Sequence, residues 1–573
     1  MSDLSQVNIS NPMVNISNPM VNINKPIISL KFQNNHKFDA YKRRKRDLTL
    51  YAEQQVHCQH IADILTRSPY AFDLSMLGTG KTFTTSQLYL QGSYHNILTI
   101  MPTSVKTKWD MMNKTYGIKQ IDTLGYCELR SVKFKQPKHG LLIRRDFTEK
   151  SDDDPQKTIV KTSFTCARSY LELVERGLLL VLDEMQNIKN ISDQLLACQE
   201  LIRPIRESFK KGGKSRVILL SGSPIDKKEQ VIHIYKALGI MKSKKITCFN
   251  PALFVQQWSG MTEIQDYMYA NFPRAQIDRI RDELFITEYQ FNARVLYEYC
   301  YALFQRVMKH HLSHAMPPHN HAIKITKNNA FYNISASDQQ ILYRGIELLS
   351  NATNFNSQND EVNFGHNGIE AIKRIQSALL IIETGKIGIL TRIAKQTLEA
   401  NPNQKVVICV NYTATINDLV QNLSCYHPLR LNGSVSNKAR IDILEKFQAP
   451  NNTHRLIIGN LLVCSTGIDL DDQDGRFPRL CLVNPNYSTI ILYQLSHRFH
   501  RAETKSDSTI HFVFGKGEKK ELSILNALAK KTTVMKETTQ LQVEHGVIFP
   551  GEYPEFQEGE SPLPLSPPPS RSP

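Results

Sequence analysis

No apolar run in this chain approaches the 18 or so residues that a membrane-spanning helix needs, which excludes a helical membrane span. None of the ten cysteines forms a C-x-x-C pair, so a zinc ribbon lacks its ligands. Several cysteines sit inside apolar runs, as Cys409 does in VVICV, and read as buried, reduced thiols of an intracellular protein. The opening segment MSDLSQVNIS has neither the basic n-region nor the apolar h-region of a secretory signal. What is present is substantial. Hydrophobic residues make up 41% and charged residues 22% of 573 residues, which excludes wholesale disorder. At about 150 residues per domain, three or four domains are expected. Lys plus Arg is 70 against 54 Asp plus Glu, a net charge of +16. Such an excess suits an anionic partner, nucleic acid or an acidic membrane surface, and equally serves plain solubility.

The ends differ from the middle. VNISNPM at 7–13 repeats at 14–20 and degrades to VNINKPI at 21–27. Proline in each copy blocks a helix, and three heptad copies cannot stack into a solenoid. Residues 1–46 are therefore expected to be a disordered extension, closed by the basic cluster Lys42, Arg43, Arg44, Lys45 and Arg46. That cluster reads equally as a phosphate contact, a nuclear address or a solvated charge run. The segment SPLPLSPPPSRSP makes 536–573 a second disordered, Pro/Ser-rich tail. Between the ends, apolar runs bounded by turn residues alternate with helical stretches over 47–240 (NILTIMP, GLLLVLDE, SRVILLSGSP). The pattern returns over 371–535 (KVVICV, HRLIIGN, RLCLVNP, TIHFVF). Both read as α/β regions built on parallel sheets from βαβ units. Residues 241–370 read as a mostly helical insert and linker with an Asn-rich loop at 351–368.

The strongest local signal is Leu77-Gly78-Thr79-Gly80-Lys81-Thr82. Glycines let backbone N–H groups close around phosphate oxygens, a lysine reaches the β- and γ-phosphates, and a threonine hydroxyl suits Mg²⁺. The full Walker pattern asks for glycine where Ser75 stands. Downstream, the apolar run Leu178–Leu182 ends in Asp183-Glu184. An acidic pair at the end of a strand can hold a metal ion through Asp183 and orient and deprotonate water through Glu184.

With these in view, the chain resembles a helicase superfamily 2 ATPase, and more narrowly the Swi/Snf type of DNA translocase. DEMQNIKN at 183–190 resembles the acidic box and MLGTGKT the phosphate loop. IMPTSVKTKWDMM at 100–112, with Pro102, Ser104 and Trp109, resembles the next motif, and LLSGSPIDKK at 219–228 the S/T-G-T-P coupling motif. In the second half, RLNGSVSNKARIDILEKF at 430–447, STGIDL at 465–470 and QLSHRFHR at 494–501 complete the series in order. MPPHNHAIKITKNNAFYNISASDQQILY is similar to the family's linker. LLSGSPI also resembles the early transcription factor helicases and nucleoside triphosphatase I of large DNA viruses.

The resemblance implies two RecA-like lobes with ATP and Mg²⁺ between them. Gly78, Thr79, Gly80, Lys81, Thr82, Asp183, Glu184 and Gln186 of lobe one, and Gln494, Arg498 and Arg501 of lobe two, would form the ATP site, with the arginines as fingers. Thr82 and Asp183 would hold Mg²⁺. Gln54, favoured by spacing over Gln55, would recognise adenine. Thr103, Ser104, Lys106, Gly433 and Ser434 would meet nucleic acid, along with the basic stretch 203–216 as an exposed loop or helix end. Ser221, Gly222, Ser223, Gly467 and Asp469 would couple the two sites. His497 replaces the family's glycine, and Ala502-Glu503-Thr504 its I-G-Q, which puts the finer coupling in question. Duplex DNA is the favoured partner and RNA the alternative, within a transcription or remodelling complex. A strand-separating helicase and a catalytically inactive scaffold are the competing readings. The expected compartment is the nucleus or, for a viral protein, the virion or viral factory. The histidines of KHHLSHAMPPHNH (His310, His311, His314, His319, His321) lack a carboxylate or thiol companion and are broken by Pro317 and Pro318, so a metal site is not expected there.

Overall fold

A computed structural model describes residues 48–559, apart from 119, 151–157, 244–245, 247, 251–254, 258, 288–291, 318–322, 354–367, 502–503, 517–520, 540–542 and 544–546. The N-terminal repeat, the basic cluster 42–46 and the segment 560–573 lie outside the described residues. Among the described residues, no helix is long and apolar enough to cross a membrane.

Two all-parallel sheets form the framework. The first has six strands in the order Ser313–His314, Tyr70–Asp73, Arg216–Leu220, Leu178–Asp183, Asn96–Met101, Gln120–Gly125. Its central strand Leu178–Asp183 is buried at every position, as an inner parallel strand covered on both faces must be. The second has seven, in the order Leu429–Leu431, Leu456–Asn460, Lys405–Val410, Arg479–Val483, Ser508–Gly515, Ile325–Tyr332, Glu555–Gln557. Each sheet is flanked by helices that return the chain to the same edge, so the C-terminal strand ends and their loops collect at one end of each lobe. These are two RecA-like lobes.

Domain edges differ from the sequence expectation in four places. Ile325–Tyr332, expected in the linker, lies inside the second sheet, paired along its whole length with Ser508–Gly515. Ser313–His314 adds to the first sheet beside Tyr70–Asp73. The helices of 259–312 are no separate insert: Met261, Ile280, Leu296, Phe304 and Met308 share one core with the first lobe. Neither is the tail from 536 unstructured throughout, because Glu555–Gln557 pairs with Asn329–Phe331 and Phe549 is buried. A strand this short pairs through backbone groups, which composition does not report.

The basic stretch 203–216 is mostly helical, within Asp193–Lys210, whose start is capped by Ser192 accepting from Leu195 N. Its three arginines are internally committed rather than free. Arg203 pairs with Glu200 and Glu207, Arg206 donates to the carbonyls of Leu238 and Gly239, and Arg216 donates to Leu65 O at 2.6 Å. Lys210, Lys211 and Lys214 remain exposed.

Candidate active site

The phosphate loop leaves the strand Tyr70–Asp73 and enters the helix Lys81–Gln91. Gly78 and Gly80 hold φ of +90° and +96°, a left-handed backbone that other residues adopt only at a cost. Lys81 Nζ donates to Ser75 O and Met76 O, both at 3.0 Å, and Thr79 Oγ1 donates to Met76 O at 2.8 Å. Gln54 is buried against this loop and donates to Thr79 O at 2.9 Å, whereas Gln55 is exposed. A side chain at Gly80 would collide with Gln54 Nε2, 2.3 Å from the Cβ position.

Ser75, the departure from the Walker pattern, has a structural task. Its hydroxyl accepts the backbone N–H of Met316 at 2.9 Å, and Leu74 N donates to His314 O at 3.1 Å. The start of the interlobe linker is thereby stitched to the phosphate loop. His314 Nδ1 lies 2.7 Å from His57 Nδ1, and His57 Nε2 lies 3.1 Å from Asp73 Oδ2. Burial alone would raise the Asp73 carboxyl, but His57, Lys81 and the Ser75 N–H outweigh it and hold it at about 2. Burial, with His57 and His60 adding to it, pulls His314 down to about 4, so it is a neutral ring at pH 7. His314 thus faces His57 and His60, not His311, and no described cluster of three or more His, Cys, Asp or Glu could hold a metal. His319 and His321 lie outside the described residues.

Asp183 ends its strand buried, and Trp109 Nε1 donates to its Oδ2 at 2.8 Å. Tyr126 OH donates to its backbone carbonyl at 3.0 Å. Burial, then the adjacent Glu184, push the Asp183 carboxyl up to about 6. Glu184 has φ of +57°, which aims it away from the strand direction. Its Oε2 accepts from Gln186 Nε2 at 2.6 Å and from Gln494 Nε2 of lobe two at 3.1 Å. Gln186 Oε1 in turn accepts from Ser221 Oγ at 2.7 Å, and Ser221 Oγ accepts from Ser223 N at 3.0 Å. Gly222 packs on the loop, its Cβ position 3.2 Å from Ser75 O. One chain of hydrogen bonds therefore runs from Ser221 and Ser223 through Gln186 and Glu184 into the second lobe.

Lobe two closes over this surface. Arg501 Nε donates to Asp469 Oδ1 at 2.6 Å, while Arg501 Nη1 is buried without a partner and lies 3.2 Å from the Cβ position of Gly78. Arg498 Nε donates to Ser465 O at 2.7 Å. Burial and its neighbour Arg501 lower Arg498 to about 10, still a cation at pH 7. Asp469 is held low: burial opposes this, but Arg501 and Lys108 prevail. Thr504 accepts from Arg501 N at 2.7 Å and donates to Asp471, so the end of the last motif fixes the arginine although its sequence departs from the family's. Ala502 and Glu503 lie outside the described residues. His497 is buried edge-on to Tyr493, and burial keeps it neutral. An unpartnered guanidinium N–H, a buried lysine and a glycine cradle facing each other can accept a polyphosphate.

The remaining candidates are less gathered. Thr103 is exposed and Ser104 half-buried at the end of Asn96–Met101, and Gly467 of lobe two approaches Ser104 so closely that a Cβ would lie 2.7 Å from its carbonyl oxygen. Lys106 Nζ pairs with Glu128 at 3.2 Å. Gly433 and Ser434 stand apart on an exposed loop after Leu429–Leu431, where Ser434 Oγ donates to Asn432 Oδ1 at 2.7 Å. Thr82 sits at the second helical position after Gly80. Sequence reasoning gave Trp109 a place in a motif but no contact, and it missed Tyr126, Lys108 and the linker stitch. Their roles depend on partners 57 to 361 positions away, which no local pattern encodes.

Two lobes with a glycine loop, an acidic pair and arginines facing across the cleft have the layout of a nucleoside triphosphatase. Residues 386–503 match the helicase conserved C-terminal domain family. Over 490 residues, 84% of this chain and 82% of the relative, the chain is 22% identical to a putative ATP-dependent RNA helicase L364 of Acanthamoeba polyphaga mimivirus. Among solved structures, the Sulfolobus solfataricus SWI2/SNF2 ATPase core in complex with dsDNA is 15% identical, with 87% of this chain and 96% of that chain covered and a TM-score of 0.27. The same core domain without DNA in its description is 16% identical, with 86% and 91% covered and a TM-score of 0.28. The lobes themselves are identified by strand order and by the phosphate loop. Residues 386–503 thus match a helicase C-terminal domain, and the chain as a whole is similar to an ATP-dependent helicase.

Proposed function

We propose that this ATPase hydrolyses ATP to move along duplex DNA. The observation that carries the reading is the hydrogen-bonded path Ser221–Gln186–Glu184–Gln494 across the cleft, with Arg501 set against Gly78. In this reading Gly78, Thr79, Gly80 and Lys81 cradle the β- and γ-phosphates, and Gln54 lies where an adenine edge can meet it. Thr82 and Asp183 would hold Mg²⁺, which would supply neutralisation of phosphate charge. Glu184 orients the attacking water and takes its proton. Arg498 and Arg501 stabilise charge on the equatorial oxygens as the lobes close. After hydrolysis the lobe-two contacts weaken and the cleft opens. Thr103, Ser104 and Lys106 on one lobe and Gly433 and Ser434 on the other then grip and release phosphates alternately. The approach of Gly467 to Ser104 links that grip to closure.

The Swi/Snf-type series, with Trp109 and the IKN of 188–190, favours duplex DNA. The second reading, strand separation on RNA within a viral transcription apparatus, is favoured by the description of the mimivirus relative. ATPase assays with duplex DNA, single strands and RNA, alongside displacement of a tailed strand, decide between them. Stimulation by duplex alone supports translocation. Equal stimulation by RNA with displacement replaces it by the second reading. Turnover unaffected by Lys81→Ala or Glu184→Gln removes both.

A further inference from the structure

We infer that lobe one carries a second nucleic-acid site, an aromatic platform for unpaired bases at the base of the hairpin Leu142–Lys150/Thr158–Cys166. It is separate from the cleft residues above. Three observations converge on it.

The first is an exposed and strained phenylalanine. Phe134 is 70% exposed and has φ of +61°. A bulky residue in the left-handed region costs on the order of 1 kcal/mol or more, and such strain persists only where surrounding structure enforces it. The enforcement is visible. Phe134 N donates to Asp146 Oδ2 at 2.5 Å. Asp146 is fixed by Arg144, which is 2% exposed and also donates to Arg130 O at 2.7 Å and Asp193 at 2.8 Å. Gln136 bonds the Arg144 backbone in both directions, at 2.6 and 3.0 Å. A buried arginine network therefore holds an apolar ring out in water.

The second is a cavity of about 650 Å³ that Phe134 shares with Phe147, Arg145 and Gln136. Phe147 is 42% exposed. Two rings with an arginine beside them match the face of a base, which stacks on Phe or on a guanidinium plane whatever its sequence.

The third is charge. The loop RSVKFKQPK, 130–138, carries Arg130, Lys133, Lys135 and Lys138 and no acid, and its three lysines are exposed. Asp146 and Glu149 of the adjoining strand pair with Arg144 and Lys161. Asp152–Asp154 lie outside the described residues. The loop also continues from the helix Tyr126–Arg130, whose Glu128 holds Lys106. It is thus next to the candidate phosphate grip. An apolar ring interleaved with lysines fits a phosphate-linked strand better than it fits an apolar protein face. Duplex DNA keeps its bases stacked inside, so the ligand is single-stranded.

The inference rests on nucleic acid being the partner, not on ATP turnover. The test is anisotropy binding of the full chain, without nucleotide, to a labelled oligo(dT) strand of about 20 nucleotides, an abasic strand of equal length and a duplex. Phe134→Ala with Phe147→Ala is expected to weaken oligo(dT) binding about tenfold or more, leaving abasic-strand and duplex binding and basal ATPase unchanged. Phe134→Tyr retains the ring and is expected to bind oligo(dT) like the parent, which also reports that the loop folds. Equal losses on oligo(dT), abasic strand and duplex would make the loop a backbone contact and overturn the platform. No loss on oligo(dT) would overturn it as well, leaving the rings to a protein partner. Duplex-stimulated ATPase measured in parallel reports on the translocase reading independently.

Discussion

Arg501 donates its Nε to Asp469 and leaves Nη1 buried beside Gly78 without a partner. A planar fork can serve both directions at once, and an ammonium cannot. Arg501→Ala is therefore expected to lower kcat by about a thousandfold, and Arg501→Lys to restore little of it. Steady-state ATPase of both variants checks this, and a lysine variant at near-parental kcat would contradict the finger role. Asp73 invites a different measurement. Its carboxyl is held at about 2 instead of the ordinary 3.8, so its contribution to stability is fully present above about pH 4 and is lost as pH falls towards 2. That shift corresponds to about 2 kcal/mol. Asp73→Asn should therefore flatten the acid limb of denaturant stability over that range. At pH 7, His57→Leu leaves the buried Asp73 carboxylate only the Ser75 N–H and the charge of Lys81, and is expected to cost about 2 kcal/mol in urea unfolding. The glycine loop and the acidic pair stood out in the sequence because phosphate and metal sites ask for that spacing of glycines and carboxylates. The donor to Asp183 from Trp109 did not, since 74 positions separate them.

At the scale of elements, the strands Ser313–His314, Ile325–Tyr332 and Glu555–Gln557 account for most of the difference between expected and observed boundaries. The long apolar runs of the inner strands were readable because both their faces are covered. These three sit at or near sheet edges, where backbone pairing suffices and the side chains are mixed. Ser313–His314 matters most for function, because it carries the linker to Ser75. Ser75→Ala leaves the Met316 N–H without its acceptor and is expected to cost 1–2 kcal/mol in thermal or urea unfolding. It should also alter the ATP KM more than kcat, because it loosens the loop that binds phosphate. A variant with unchanged stability and KM would show that the linker stitch is incidental. The basic stretch 203–216 teaches the converse lesson. Its arginines looked free in the sequence, yet the helix turns them onto Glu200, Glu207 and backbone carbonyls.

The whole molecule depends on closure between its lobes. Gly467, at φ +70°, comes within contact distance of Ser104, so Gly467→Ala would place a methyl 2.7 Å from a carbonyl oxygen. The lobes must then separate slightly, and kcat is expected to fall at least tenfold while each lobe stays folded; circular dichroism with ATPase kinetics would check both. The net charge of +16 bears on the same scale. If the partner is read through its phosphates, affinity falls with salt, on the order of tenfold between 50 and 200 mM for only two phosphate contacts. A salt-independent affinity would contradict backbone reading.

The sequence by itself determined the α/β class and the two lobes and put forward the residues proposed for the ATP site, because phosphate, metal and buried parallel strands each impose a short-range pattern. Tertiary structure alone decided which of those residues meet: Gln494 with Glu184, Arg501 with Gly78, Ser75 with the linker, Gly467 with Ser104. It also decided which arginines are committed internally, moving attention from 203–216 to the phenylalanine loop at 130–138. Contacts between segments hundreds of residues apart are set by how two sheets pack, and spacing along a chain carries no record of that.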